Sequence, residues 1–218
     1  MSKTGHILAV EFHEHQRQPE HGYTPSFGLD LYGASLWIGP RPLLEERDPR
    51  DHPTLIAQVI PYVVLTHEGK VLVYRRTSSG GEGRLHGRIS IGVGGHIDLV
   101  DVRPDDEGAI DFERTLNEAA AREASEEVSL SILPQQVQWT GRIYDRDTPV
   151  GRVHYGMVGT CELNSDQMMA IANNDEIDEY RMIAMPDIEA TFPDDTIEEW
   201  SRFIIEHHLQ ANMQEQAA

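Results

Sequence analysis

The stretch REASEEV, residues 122–128, decides how the chain is interpreted. It contains no helix breaker and follows three alanines at 119–121, which are the best helix formers. On a helix, Glu123, Glu126 and Glu127 lie at i, i+3 and i+4, so their carboxylates share one face. Like charges at this spacing destabilise a helix, and a hard cation such as Mg²⁺ would offset the repulsion. A solvated acidic helix face is the alternative that this stretch alone leaves open.

A glycine-rich stretch, GVGGHID at residues 92–98, precedes the acidic helix in the sequence. Together the two stretches resemble the Nudix box, whose pattern is G-x5-E-x7-R-E-U-x-E-E-x-G-U with U an apolar residue. Gly95 takes the first glycine of this pattern, and Arg122 with Glu123 takes R-E. The E-E pair falls on the remaining two glutamates of the acidic helix. The resemblance covers roughly residues 60–185, the usual extent of such a domain.

The spacing between the two halves of the box departs from the pattern. Gly95 and Arg122 lie 27 positions apart (122 − 95), where the pattern has 14. We therefore place an insertion of about 13 residues around 99–111, since 27 − 14 leaves that excess. The insertion separates the glycine turn from the acidic helix in sequence, and the resemblance implies that the fold brings them back together.

Two box positions carry unexpected residues. Counted back from the R-E pair, the first glutamate of the pattern falls on Arg114, so Glu113 or Glu107 would have to replace it. The final glycine is Ser129. These departures support a second hypothesis, a Nudix-fold binding or regulatory module that holds a nucleotide without hydrolysing it. Retention of all three glutamates on the helix favours the enzyme.

The resemblance implies a fold, a reaction and a metal. The fold is α+β, with a mixed β-sheet between helices. The reaction is hydrolysis of a diphosphate linkage in a small nucleotide-like substrate, with Mg²⁺ or Mn²⁺ as cofactor. The implied metal ligands are Glu123, Glu126, Glu127 and the Gly95 carbonyl, and Glu126 or Glu127 would take the proton of the attacking water. Arg122 would orient the glutamates.

Basic residues are concentrated between residues 70 and 88 of a very acidic chain. Guanidinium groups match phosphate oxygens, so we predict that Arg76, Arg84 and His86 contact the substrate, together with His96 after the glycine turn. Pairing of these residues with the acidic surface is the alternative.

A third hypothesis is a diphosphate isomerase of the isopentenyl type, which shares the fold and has a Gly-His pair like Gly95-His96. That reaction needs a cysteine beside the motif. Val93 and Gly94 stand there, and Cys161 is distant in sequence, so we rank this hypothesis last.

Composition limits the partners and the compartment. The net charge of −19 argues against binding of nucleic-acid polymers or anionic membranes, because their phosphates would be repelled. Cys161 is the single cysteine, so no intrachain disulfide can form, and a reducing cytoplasm is expected. No apolar run is long enough to span a bilayer. The choice between monomer and homodimer stays open.

The chain divides into an N-terminal arm at residues 1–55, a domain at 56–210 and a frayed tail at 211–218. Within the arm, 22–39 reads as a strand pair or an ordered loop, and 43–51 as a helical turn or linker. The box helix is expected to begin after a capping Thr115, with Asp111 as the alternative, and a last helix covers Thr196–Gln210. Strands are predicted at 7–12, 60–65, 70–76, 89–93, 137–145, 153–162 and 179–185.

Histidines at 13, 15 and 21 lie among acidic residues of the arm. A metal site is one interpretation, but a lone His-x-His lacks the further ligands that a zinc site requires. A polar surface loop is the interpretation we favour.

Overall fold

The structure, a computed structural model, describes residues 5–13, 19–26, 31, 33–46, 55–77, 85–171, 177–192 and 196–217. Arg84, predicted to contact substrate, lies outside these residues, as does His15. The strands are β1 His6–Phe12, β2 Gly22–Pro25, β3 Ser35–Pro40, β4 Leu55–His67, β5 Lys70–Arg76, β6 Ile89–Ser90, β7 Gly92–Val93, β8 Gln138–Tyr144, β9 His154–Glu162 and β10 Ile177–Ile183. The helices are α1 Arg41–Glu46, α2 Phe112–Val128, α3 Ser165–Ala170, α4 Ile188–Thr191 and α5 Glu199–Ala217.

These strands form one mixed sheet with β4 at its centre. The main order is β10-β5-β4-β9-β8-β2, and β4 pairs in parallel with β9, while the other strand pairs are antiparallel. Parallel neighbours need a long crossover, and the chain between β4 and β9 supplies it through α2. The mixed sheet with helices packed on it confirms the predicted α+β fold.

Helices cover the two faces of the sheet because alternate residues of β4 point to opposite sides. Val63 and Leu65 pack in one core cluster with Ala120 and Ala124 of α2. Tyr62 packs on the other side, in a cluster that holds the apolar residues of α5. The small alanines of α2 therefore pack this helix against one face of the sheet. Its charged residues are not part of that packing.

Pro61 does not lie where the sequence predicts it, and β4 is longer than the predicted strand at both ends. We expected it near a strand start or an edge, but it lies inside the central strand, opposite Met157 of β9. On the other side of β4, the described pairing to β1 ends at Gln58 and the pairing to β7 begins at Val63. The missing N–H of proline is tolerated because it falls in this gap.

The N-terminal segment is part of the same sheet. β1 pairs with β3 and also extends the start of β4, where Phe12 lies opposite Leu55. The strands expected over 22–39 exist as β2 and β3, but β2 pairs with β8 and β3 with β1. The arm thus contributes strands to the sheet that carries the rest of the fold.

α2 begins at the alternative that the sequence offered. Asp111 caps it by accepting a hydrogen bond from the Arg114 N–H at 3.0 Å. Thr115, the first expectation, is wrong because it is buried inside the helix, where its hydroxyl accepts from the Arg103 N–H at 3.0 Å. The helix ends at Val128, and the next residue, Ser129, adopts a left-handed conformation with φ 55°. Glycine suits this conformation, which explains the glycine of the box pattern.

α5 starts three residues later than predicted and continues to Ala217, seven residues beyond the expected end. Its start is tied to the sheet through a bridge between Ile197 and Ile89. None of the helices in the described ranges combines the length and the apolar character needed to cross a bilayer.

Candidate metal centre

Glu123 lies directly against the glycine turn. A methyl group built on Gly95 would come within 2.4 Å and 2.6 Å of its two carboxylate oxygens. A methyl group on Gly94 would lie 2.0 Å from the Pro61 carbonyl oxygen. Both glycines are therefore needed for close approach, and the turn and the acidic helix meet as the resemblance implied.

Arg122 joins the parts of this centre. Its Nη1 lies 2.7 Å from Glu123 Oε1 and 3.1 Å from Glu126 Oε2. Its Nη2 donates to the His96 carbonyl oxygen at 2.7 Å and contacts Asp101 Oδ2 at 2.8 Å. One guanidinium thus holds two of the three glutamates and the backbone of the glycine turn. This geometry suits the orienting role that we predicted for it.

Asp101 is the residue that sequence reasoning missed. Asp101 is buried, and both of its carboxylate oxygens lie within 3.2 Å of Arg122 Nε. Its Oδ2 also accepts a hydrogen bond from the Asp98 N–H. Counting forward from Gly95 along G-x5-E reaches this residue (95 + 6 = 101), whereas counting back from Arg122 reaches Arg114. An acidic residue therefore stands six positions after Gly95, as in the box pattern, and the residues in excess of the pattern lie between it and Arg122.

The two acids proposed as replacements lie elsewhere. Glu107 is exposed in a turn closed by Asp105, whose Oδ1 accepts the Glu107 N–H at 2.9 Å. Glu113 is exposed in the first turn of α2. In the described part of the chain neither forms a hydrogen bond or ion pair with Arg122, whereas Asp101 does.

Glu127 is the most buried of the three glutamates, with 5% of its side chain exposed. Its Oε1 lies 3.1 Å from Arg76 Nη2, and its Oε2 accepts from the Tyr74 hydroxyl and the Gly94 N–H, each at 3.2 Å. Burial raises the pKa of Tyr74 well above its usual value, so this hydroxyl keeps its proton and remains a donor. Glu127 is thus fixed to the sheet, while the side chain of Glu126 is 60% exposed.

The residues predicted to bind substrate are placed in different surroundings. Arg76 is turned inward, 3.1 Å from Glu127 and 3.9 Å from Glu198. His86 is exposed in the turn before β6. The His96 ring points away from the glutamates: its Nε2 lies 2.7 Å from Gln58 Oε1, and its Nδ1 3.0 Å from an Arg41 nitrogen. Because a guanidinium only donates, His96 Nδ1 accepts from Arg41 and Nε2 donates to Gln58.

The chemistry of the donor set fits a hard divalent cation, but in the described part of the chain the ligand oxygens of the three glutamates do not all lie within 4.8 Å of one another. Three carboxylates and a backbone carbonyl at the turn are oxygen ligands of the kind that Mg²⁺ and Mn²⁺ prefer. The tight seating of Glu123 on Gly95 leaves room for backbone and carboxylate oxygens but not for a side chain at that position.

The charge state of Glu123 follows from its surroundings. Burial raises the pKa of this carboxyl, the Arg122 charge lowers it, and the charges of Glu127 and Glu126 raise it again, to about 8. The metal-free centre therefore holds a proton at neutral pH that a bound cation would displace.

This pKa predicts how the stability of the metal-free protein depends on pH. The folded state binds a proton at Glu123 that the unfolded state, with a pKa near 4.5, releases. Stability should therefore fall as the pH rises from about 5 to about 8. Melting curves in EDTA across this range, for the parent and Glu123→Gln, measure the effect. The variant should have the flatter dependence, and equal slopes would contradict the assignment.

A second cluster lies at the end of β8. His21 Nδ1 is 3.7 Å from Asp145 Oδ1, and His21 Nε2 is 3.4 Å from Asp147 Oδ2, within reach of a shared metal ion. The Asp145 carboxylate already accepts backbone N–H groups from Asp147 and Thr148, which close the turn. These bonds give the buried aspartate a structural role.

Comparison with known proteins supplies the context for this geometry. A family model described as NUDIX domain matches residues 57–206. Protein YmaB of Bacillus subtilis (strain 168) is 31% identical over 162 residues, which are 74% of this chain and 73% of that protein. The crystal structure of Tm1382, described provisionally as a Nudix hydrolase, superposes with a TM-score of 0.66 at 23% identity. That superposition covers 94% of this chain and 99% of the other.

Proposed function

The chain belongs to the NUDIX domain family, and from this premise we propose that it hydrolyses a diphosphate linkage in a small nucleotide-like substrate with Mg²⁺ or Mn²⁺. The observation that carries the proposal is the Arg122 guanidinium, which holds Glu123 and Glu126 beside the glycine turn. An acidic face that served only for solubility would have no need of a buried Asp101 to fix this arginine.

The chemistry divides between the ion and the chain. A bound divalent cation neutralises charge on the diphosphate and lowers the pKa of a bound water. Glu123, Glu126, Glu127 and the Gly95 carbonyl would hold it. Glu126 has the greater access to solvent, so we assign to it the water's proton, while the burial and three contacts of Glu127 suit a fixed ligand.

Substrate contacts remain proposals. His86 is exposed on the turn that leads into the glycine stretch, and Arg84 precedes it in sequence, so both are proposed to meet phosphate or its substituent. Arg76 contacts Glu127 and His96 contacts Gln58, and we propose that they support the site through these contacts.

Structural observations weaken both alternatives, the binding module and the isomerase. The binding module drew support from Arg114 and Ser129, but we propose that Asp101, which pairs with Arg122, takes the place of the box acid, and the left-handed conformation of Ser129 is one that glycine favours. The isomerase needs a reactive cysteine, and Cys161 is buried in the core, where burial raises the pKa of its thiol to about 11.

A screen of diphosphate compounds with Mg²⁺ or Mn²⁺ tests the proposal. Hydrolysis of a diphosphate bridge produces terminal phosphate groups. An added phosphatase that cleaves only terminal phosphates then releases them as inorganic phosphate, which is measured. We expect release from at least one nucleoside diphosphate derivative and none in EDTA. A broad panel with no release, in a protein that binds the metal, would favour the binding module.

A further inference from the structure

A buried polar cluster lies at the start of α5. Glu198, one residue before the helix, is 3% exposed, and its N–H donates to the Ile89 carbonyl at 3.0 Å. Its Oε1 accepts from the Tyr62 hydroxyl at 2.6 Å, and the hydroxyls of Ser90 and Ser201 lie at 2.6 and 3.1 Å. A buried carboxylate is costly unless its hydrogen bonds are made, and here hydroxyl groups surround one oxygen.

The other oxygen of Glu198 lies on the side of Arg76. Its Oε2 lies 3.9 Å from Arg76 Nη1, and Arg76 Nη2 lies 3.1 Å from Glu127 Oε1. One guanidinium, 12% exposed, therefore stands between two buried carboxylates, and one of these is a proposed metal ligand. In such surroundings each charge acts strongly on its neighbours, because water screens them little.

A metal ion held by Glu127 would compete with Arg76 for this carboxylate. A cation that binds this carboxylate must offset the attraction of the guanidinium or displace it. Glu198 provides Arg76 with a second anionic partner, so the guanidinium keeps a counter-charge when Glu127 turns to the metal. Without that partner, Glu127 would be the single carboxylate within ion-pair distance of Arg76 in the described part of the chain.

We propose that Glu198 is a positioning residue that shares the charge of Arg76 with Glu127 and so sets the affinity of the centre for its metal. The inference rests on the proposed metal role of Glu127. It extends the functional unit from the box to the start of α5, which is distant from the box in sequence. A purely structural cluster would anchor α5 and leave the metal affinity unchanged.

Glu198→Gln tests the proposal with little change in shape. The amide oxygen can keep the three hydroxyl contacts, and only the group that faces Arg76 loses its charge. Glu206→Gln, an exposed site on the same helix, is the matched control with the same change in net charge. The dissociation constant for Mn²⁺ is measured on the full chain from the spin resonance signal of free Mn²⁺, and melting curves verify folding.

We expect Mn²⁺ to bind about tenfold more weakly to Glu198→Gln and unchanged to the control. In an Arg76→Gln background, the loss of Glu198 should matter far less, because the shared charge is gone. Equal affinity of parent and Glu198→Gln would overturn this inference alone, whereas a parent that binds no Mn²⁺ would overturn the proposed function with it. If Glu198→Gln does not fold, Glu198→Asp replaces it: a smaller loss of affinity supports the inference, and none overturns it.

Discussion

Glu127→Gln is expected to lower kcat by at least about 10–100-fold, because Glu127 is a proposed metal ligand and the loss of residues that only support such ligands already has an effect of this size. Glu127 is buried and fixed by Arg76, Tyr74 and the Gly94 N–H, so its charge is available at one defined place. If that charge acts mainly in the transition state, kcat falls far more than substrate binding weakens. The measurement is kcat and KM on the best compound of the screen.

The same substitution should also cost stability. The amide N–H₂ of a glutamine would face either Arg76 or the donors at Oε2. Because both partners also donate, one buried hydrogen bond is lost, and the free energy of unfolding should fall by about 1–3 kcal/mol. Activity must therefore be expressed per folded molecule from melting curves in EDTA. Glu113→Gln, an exposed acid on the same helix, is the control and should retain both activity and fold. Equal turnover in parent and Glu127→Gln would remove Glu127 from the chemistry.

Asp101→Asn should lower turnover or metal affinity by about 10–100-fold, although Asp101 touches neither metal nor substrate in this account. The aspartate holds Arg122 through Nε and Nη2, and Arg122 in turn holds Glu123 and Glu126. Loss of its charge frees this guanidinium to shift. Because the pair is largely buried, the free energy of unfolding should also fall by about 1–3 kcal/mol.

Asp106→Asn is the control for this variant, since Asp106 is exposed in the same insertion. Asp101→Glu keeps the charge and should recover part of the activity. A KM that rises while kcat and Mn²⁺ affinity stay at the parent values would show that Asp101 acts on substrate binding and not through Arg122.

Local sequence patterns were enough to predict the acidic helix and the strands that surround the site. Helix spacing placed Glu123, Glu126 and Glu127 on one face, and the structure brings that face to Gly95. The strands around this turn were also predictable, because β-branched runs and a Glu68-Gly69 turn mark them. These features depend on neighbours in the chain, so a pattern of spacing captures them.

The supporting residues were harder to find, since their partners are distant in sequence. Arg76 reads as a phosphate ligand until the fold places Glu127 beside it, 51 residues later in the chain. Glu198 lies in a segment whose apolar neighbours indicate only a helix start. Asp101 had a usable signal, but the insertion after it shifts the spacing, and counting from one end of the box missed it.

Titration of the metal-free protein with Mn²⁺ by calorimetry tests the central claim most directly. The account predicts one or more sites at up to millimolar concentration, a rise in the melting temperature, and loss of binding when Glu123, Glu126 and Glu127 are all changed to glutamine. Binding should persist in the Glu113→Gln control. No heat of binding at millimolar Mn²⁺, with and without a diphosphate compound, would contradict the metal centre.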